Sequence, residues 1–177
     1  AGPADVEAQR TISDGMLYLP YWLLSYEALV SMFVDRSDQN APNQAMIMAR
    51  EINFAKRKYL EDNNQQEVLK HFTIDSPVPF DLNILMKRLN DINIEMVPGA
   101  KANTEKQGDF FGKLARMISR LENKIHDRRL GFMFNGGGDI LDFCWLEKFA
   151  NAVLGSTSEN GKAGVKIIDF SEVPSDV

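Results

Sequence analysis

The chain has 177 residues, 44% of them hydrophobic and 25% charged, with a formal net charge of −5. That is enough for one large domain or one and a half small ones. The composition is ordinary for a soluble globular protein, and the charge gives no global signal for nucleic acid or an anionic membrane. A single cysteine, Cys144, excludes an internal disulfide framework, and no apolar run approaches the ~20 residues of a membrane span.

No signal peptide is visible at the start, and the first residue is Ala1 rather than Met, so a trimmed, cloned or mid-protein N-terminus is expected. Residues 1 to 15 are polar, contain Gly2, Pro3 and Gly15, and read as a tail or arm. Leu17-Tyr18-Leu19 precedes Pro20 and reads as a short strand, because a residue before proline is pushed to extended geometry. Ser25 can cap a helix carrying Leu29, Met32 and Phe33. After a polar loop, Asn40 and Pro42 start a long helix reaching about Leu60, with Ala45, Met48, Ile52 and Ala55 on one face. Gln65 to His71 reads as a short helix. Phe72 to Phe80 reads as extended, since Pro77 and Pro79 forbid a helix.

Asp81 caps the next helix, in which Leu82, Leu85, Leu89 and Ile92 recur every three to four residues. Val97 to Asn103 reads as a loop. Thr104 with Gln107 fits a capping box that opens a helix to about Asp127, with Phe110, Phe111, Leu114, Ile118 and Leu121 as its apolar stripe. The C-terminal end reads as strand, helix, strand: Leu130 to Phe134, Phe143 to Leu154, and Val165 to Phe170. Apolar runs flanking a helix suggest parallel strands covered on both faces. The predicted fold class is mainly α with a small β part, of α/β type: a helical bundle flanked by a few strands of an incomplete sheet. The corresponding divisions are 1–24 (arm and short strand), 25–127 (helical insertion) and 128–177 (strand-helix-strand).

Catalytic, cofactor and metal sites are not assignable. Gly155 to Ala163 comes near a P-loop, but its glycines are one residue too far apart, Ala163 has no hydroxyl for magnesium, and the stretch follows a helix rather than a strand. A glycine turn accounts for Gly136-Gly137-Gly138, which has no lysine beside it. Ile167-Ile168-Asp169 resembles a strand delivering a metal-binding aspartate, yet Phe170 stands where a catalytic Glu would follow. His71 and His126 lack partners at metal-ligand spacing. Cys144, within an apolar segment, reads as a buried structural thiol, and Asp139 and Asp142 as the start of a helix.

The basic stripe is more informative. Lys113, Arg116, Arg120 and Lys124 share one predicted helix face, and Lys106 to Arg129 holds seven Lys or Arg against three Asp or Glu. A local reversal of sign in an acidic chain can track a phosphate backbone, although a solvated face paired with acidic neighbours is the more ordinary account of such a stripe.

The order of segments resembles the middle of a HerA-type ATPase, of the HerA/FtsK group of P-loop DNA translocases. The likeness is carried by Leu17 to Glu27, by Phe72 to Phe80 as the link between inserted helices, by Arg129 to Phe134 as a strand returning to the core, and by Ile167 to Pro174. It implies a helical insertion plus strands of a RecA-like core, lying between a Walker A motif upstream and a Walker B motif downstream. The parent protein would be a cytoplasmic, prokaryotic ring hexamer that uses ATP and magnesium to translocate double-stranded DNA. Such proteins work in DNA end processing or anti-phage defence with nuclease or NADase partners. No catalytic residue matches a position here, so this stretch itself is expected to be inactive and without cofactors. The other reading of the same residues is an independent helical module that binds a protein partner.

Overall fold

Two helices of this chain start where a short polar side chain takes up an orphan amide. The computed structural model describes residues 18–101, 103–135, 138–154 and 167. Ser25 Oγ accepts the Ala28 N–H at 3.2 Å and opens α1 (Tyr26–Phe33). A second donor at that end, the Tyr26 N–H, is taken by Asp75 at 2.7 Å. α2 (Ala41–Asp62) carries Pro42 in its first turn, and α3 (Gln66–His71) follows it. Asp81 accepts the Asn83 N–H and caps α4 (Leu82–Asn93).

Ile47 and Ile52 of α2, Leu85 and Leu89 of α4, and Leu60 and Leu114 are wholly excluded from solvent. Each such side chain contributes about 1.5–3 kcal/mol relative to exposure. The described residues are mainly helical, with one small antiparallel sheet. Trp22–Lys124 forms one compact unit; the described residues up to Tyr21 and from Ile125 onward form another.

The small β part lies where a loop and a helix start were expected. β1 (Met96–Pro98) pairs antiparallel with β2 (Glu105–Gln107), Val97 opposite Lys106. The capping box of Thr104 and Gln107 does not form: Thr104 Oγ1 donates to the Lys101 carbonyl, and the Gly99 N–H closes the hairpin on the Thr104 carbonyl. A capping box is a local signal, and here pairing between two segments overrides it. Phe110 and Phe111 lie in turns rather than on a helix, because Gly112 at φ +72° is in the left-handed region. α5 therefore runs from Ala115 to Ile125, burying Met117, Ile118 and Leu121.

The strand expected at Leu130 to Phe134 is also corrected. Asp127 accepts the Arg129 N–H and opens a 3-10 turn (Arg128–Leu130), which runs into α6 (Gly131–Phe134). An apolar run this short does not distinguish strand from helix, and a side-chain cap decided it. Leu130 and Met133 are buried at three-residue spacing, and Phe134 stacks on Tyr21 with ring centroids 5.7 Å apart. Tyr18 and Leu19 are in no regular element, although the Leu19 N–H donates to the Phe132 carbonyl at 3.1 Å. Leu17 and the expected strand Val165 to Phe170 lie outside the described residues, Ile167 excepted, which is in no strand.

The expected helix near Phe143 is α7 (Trp145–Leu154), preceded by a 3-10 turn (Gly138–Leu141). Cys144 is exposed, not buried as expected. It sits in the turn before α7, where its N–H donates to Asp142, and the helical period that buries Trp145 starts one residue later.

Candidate functional site

The four basic residues are not all on one helix. Arg116, Arg120 and Lys124 lie on α5, whereas Lys113 is exposed in the turn ahead of it. The left-handed Gly112 breaks the helical path, and the Lys113 carbonyl instead accepts from the buried Gln44 side chain at 3.0 Å. Arg116 and Arg120 converge on Asp35, at 2.7 and 3.8 Å, from a face separate from the buried Met117 and Leu121. The hydroxyl and N–H of Ser37, and then the two guanidiniums, hold the Asp35 carboxyl below the usual carboxylate range. The side chains of Arg116 and Arg120 remain 61% and 40% exposed. Asp35 was invisible from sequence, because it lies in a polar loop far from the stripe.

A second constellation went unread at the sequence level. Glu51 is wholly buried on α2 and accepts from Arg50 Nε at 2.7 Å and from Arg88 Nε at 2.5 Å. The Arg88 guanidinium lies over the Phe54 ring, 3.6 Å from its centroid. One turn further, Lys56 is buried and donates to the Ile74 and Ser76 carbonyls, both at 2.6 Å. The signal was present: Glu51 and Lys56 fall three or four residues from Met48 and Ile52, on the apolar stripe of a helix, where a charge has to be paired.

The remaining candidates bring no chemistry together. His71 and His126 are exposed, and no three His, Cys, Asp or Glu side chains among the described residues could hold a metal ion. The near P-loop Gly155 to Ala163, Asp169, and Gly136 and Gly137 lie outside the described residues. Asp142 accepts from Cys144 and pairs with Lys148 at the head of α7, a helix-capping role. A concavity at the β1–β2 hairpin, lined by Met96, Lys101 and Glu105, assembles no nucleophile with a base. No helix is long and apolar enough to cross a membrane among the described residues.

No protein-family model matches this chain, and neither does any curated protein.

Proposed function

We propose that this chain is the non-catalytic central segment of a HerA-like hexameric ATPase that translocates double-stranded DNA. It would comprise a helical insertion and the adjoining parts of the core. The observation that carries the reading is one of connection. The helical unit Trp22–Lys124 is continuous in sequence, while the chain before it and the chain after it meet through the Leu19 to Phe132 hydrogen bond. An insertion between two parts of one core has that connectivity. The segment order described above supports the family; at Arg129 to Phe134 the likeness is one of sequence only, since the end of that segment is helical.

In this reading ATP and magnesium belong to the rest of the parent protein, because no Walker A or Walker B motif matches a position of this sequence. Its setting would be the prokaryotic cytoplasm, in DNA end processing or anti-phage defence beside a nuclease or NADase.

Within this reading Lys113, Arg116, Arg120 and Lys124 touch the phosphates of duplex DNA, with Asp35 displaced from the two arginines. Nothing there offers bidentate reading of a base, so binding is weak, indifferent to sequence and sensitive to salt. Four phosphate contacts give a log–log salt slope of roughly −3.6. In fluorescence anisotropy with a labelled duplex, Arg116→Glu with Arg120→Glu abolishes binding and leaves the helical circular dichroism unchanged. Absence of binding to the unaltered chain at low salt removes DNA contact from this segment. A coding sequence without Gly-x-x-x-x-Gly-Lys-Ser/Thr upstream removes the ATPase assignment, and micromolar ATP binding by this chain alone in calorimetry removes the reading of it as the non-catalytic segment.

The alternative, an independent helical module for a protein partner, is favoured by a different observation: the arginine, methionine and phenylalanine face of α2.

A further inference from the structure

The outer face of α2 has an unusual make-up for a solvated helix. Of the three acidic residues of α2, Glu51 is buried, and Glu61 and Asp62 lie at the C-terminal end, Asp62 paired with Lys58. Met46, Arg50, Phe54 and Arg57 follow at spacings of four, four and three, so they form one stripe. Met46 is 53% and Phe54 40% exposed. Glu51 grips Arg50 and Arg88 each by its Nε, one carboxylate oxygen apiece. The terminal nitrogens of both arginines make no hydrogen bond within the described residues. Their side chains stay 57% and 37% exposed. Two guanidinium forks are thus oriented from behind, one of them also stacked on Phe54, with their ends open to a ligand. Asp91, one turn beyond Arg88 on α4, makes no ion pair with it.

We infer that this face, α2 with Arg88 of α4, is a docking surface for a protein segment that is both acidic and apolar. Its carboxylates enter the guanidinium forks, and its aliphatic or aromatic side chains cover Met46 and Phe54. Charge complementarity selects the acidic half of that description: Arg50 and Arg88 share the single carboxylate of Glu51, which leaves one positive charge of this cluster uncompensated. The exposed apolar pair selects the other half. Arg, Met and aromatic side chains are what protein interfaces concentrate, and Lys and Glu are what they exclude. A duplex backbone would use the charges and leave Met46 and the part of Phe54 that Arg88 does not cover exposed. Fixing the arginines through Glu51 also lowers the ordering cost of binding, because fewer rotamers are lost. The inference does not depend on the ATPase reading.

The test uses the whole 177-residue chain and a fluorescein-labelled amphipathic peptide of Glu, Leu and Phe. Its comparators are the same peptide with Ser in place of Leu and Phe, and a labelled DNA duplex. Met46→Glu and Arg57→Glu are the informative variants, since neither side chain touches Glu51; far-UV circular dichroism checks that each is folded. The expected result is saturable binding of the Glu/Leu/Phe peptide, weakened about tenfold or more by each variant and unaffected by Lys101→Glu in the hairpin turn, a loss of about 1.4 kcal/mol per tenfold. Binding that is absent, undiminished in both folded variants, or equal for the Ser peptide overturns the inference. Duplex binding that these two substitutions abolish also overturns it, and assigns the face to nucleic acid instead.

Discussion

Lys56 is an ammonium in the interior of the helical unit, with 1% of its surface exposed. Two carbonyls, Ile74 and Ser76, stand in for water around it, and the Phe80 ring lies 5.9 Å away. Burial pushes its pKa down from 10.5 to about 8, and the Asp75 carboxylate opposes that only in part. The sign of the consequence is set by proton counting. Between about 8 and 10.5 the unfolded chain holds a proton at this position that the folded chain has lost, so Lys56 makes stability rise with pH across that window. Below about 8 both states are protonated and Lys56 contributes no slope. Urea unfolding from neutral to alkaline pH should show this rise in the unaltered chain. The Lys56→Met variant should lack that component. At neutral pH the same variant should lose about 1–3 kcal/mol, because two part-buried carbonyls are left without this donor. The Lys56 side chain and the Asp75 cap on α1 tie the link Phe72 to Phe80 to the helices, alongside its buried Val78 and Phe80.

At the scale of the element, the caps at Ser25 and Asp81 were readable, while the capping box of Thr104 and Gln107 gave way to strand pairing that was not. Ser25 and Asp81 accept amide hydrogens as their sequence context predicts, since a cap needs only its own next three residues. The start of α5 was misread by about ten residues. Its true start depends on a hairpin between two segments and on one backbone angle. Gly112 takes φ +72°, donates its N–H to the Asn93 carbonyl at 2.8 Å, and has open space where a Cβ would be. Gly112→Ala should therefore cost about 1 kcal/mol through backbone strain alone, with no steric clash added. Gly112→Asn should cost less, because asparagine tolerates the left-handed region. Thermal melts of the two variants, compared with the unaltered chain, check the order. Equal losses would mean that the turn, and not the angle, is what matters there.

For the whole molecule, the helical unit Trp22–Lys124 holds its own core, including Phe33, Ile47, Ile52, Leu60, Phe80, Leu85, Leu89 and Leu114. Its hydrogen bonds between distant segments, Tyr26 to Asp75, Gln44 to Lys113 and Lys56 to Ile74, also close within it. A chain cut to residues 22–124 should thus keep a helical circular dichroism spectrum and a cooperative thermal transition. A broad, non-cooperative melt would show that the unit needs the flanking residues. The same test bears on the proposed function, since a helical insertion is a body that can fold on its own core.

Sequence by itself determined the helices with an intact apolar period and a cap, the mainly helical class, and the candidate basic residues. Those features depend on neighbours three or four positions away, which sequence order already brings together. Only the tertiary structure decided the rest. Leu130 to Phe134 became helical through Asp127, and the β part came from Met96–Pro98 meeting Glu105–Gln107. Arg116 and Arg120 met Asp35 across some eighty residues of chain, and Glu51 drew in Arg88 from another helix. The physical reason is common to all of these. A charge or an edge is satisfied by whatever folding brings within about 3 Å of it, and a partner distant in sequence leaves no periodic mark on the residues around it.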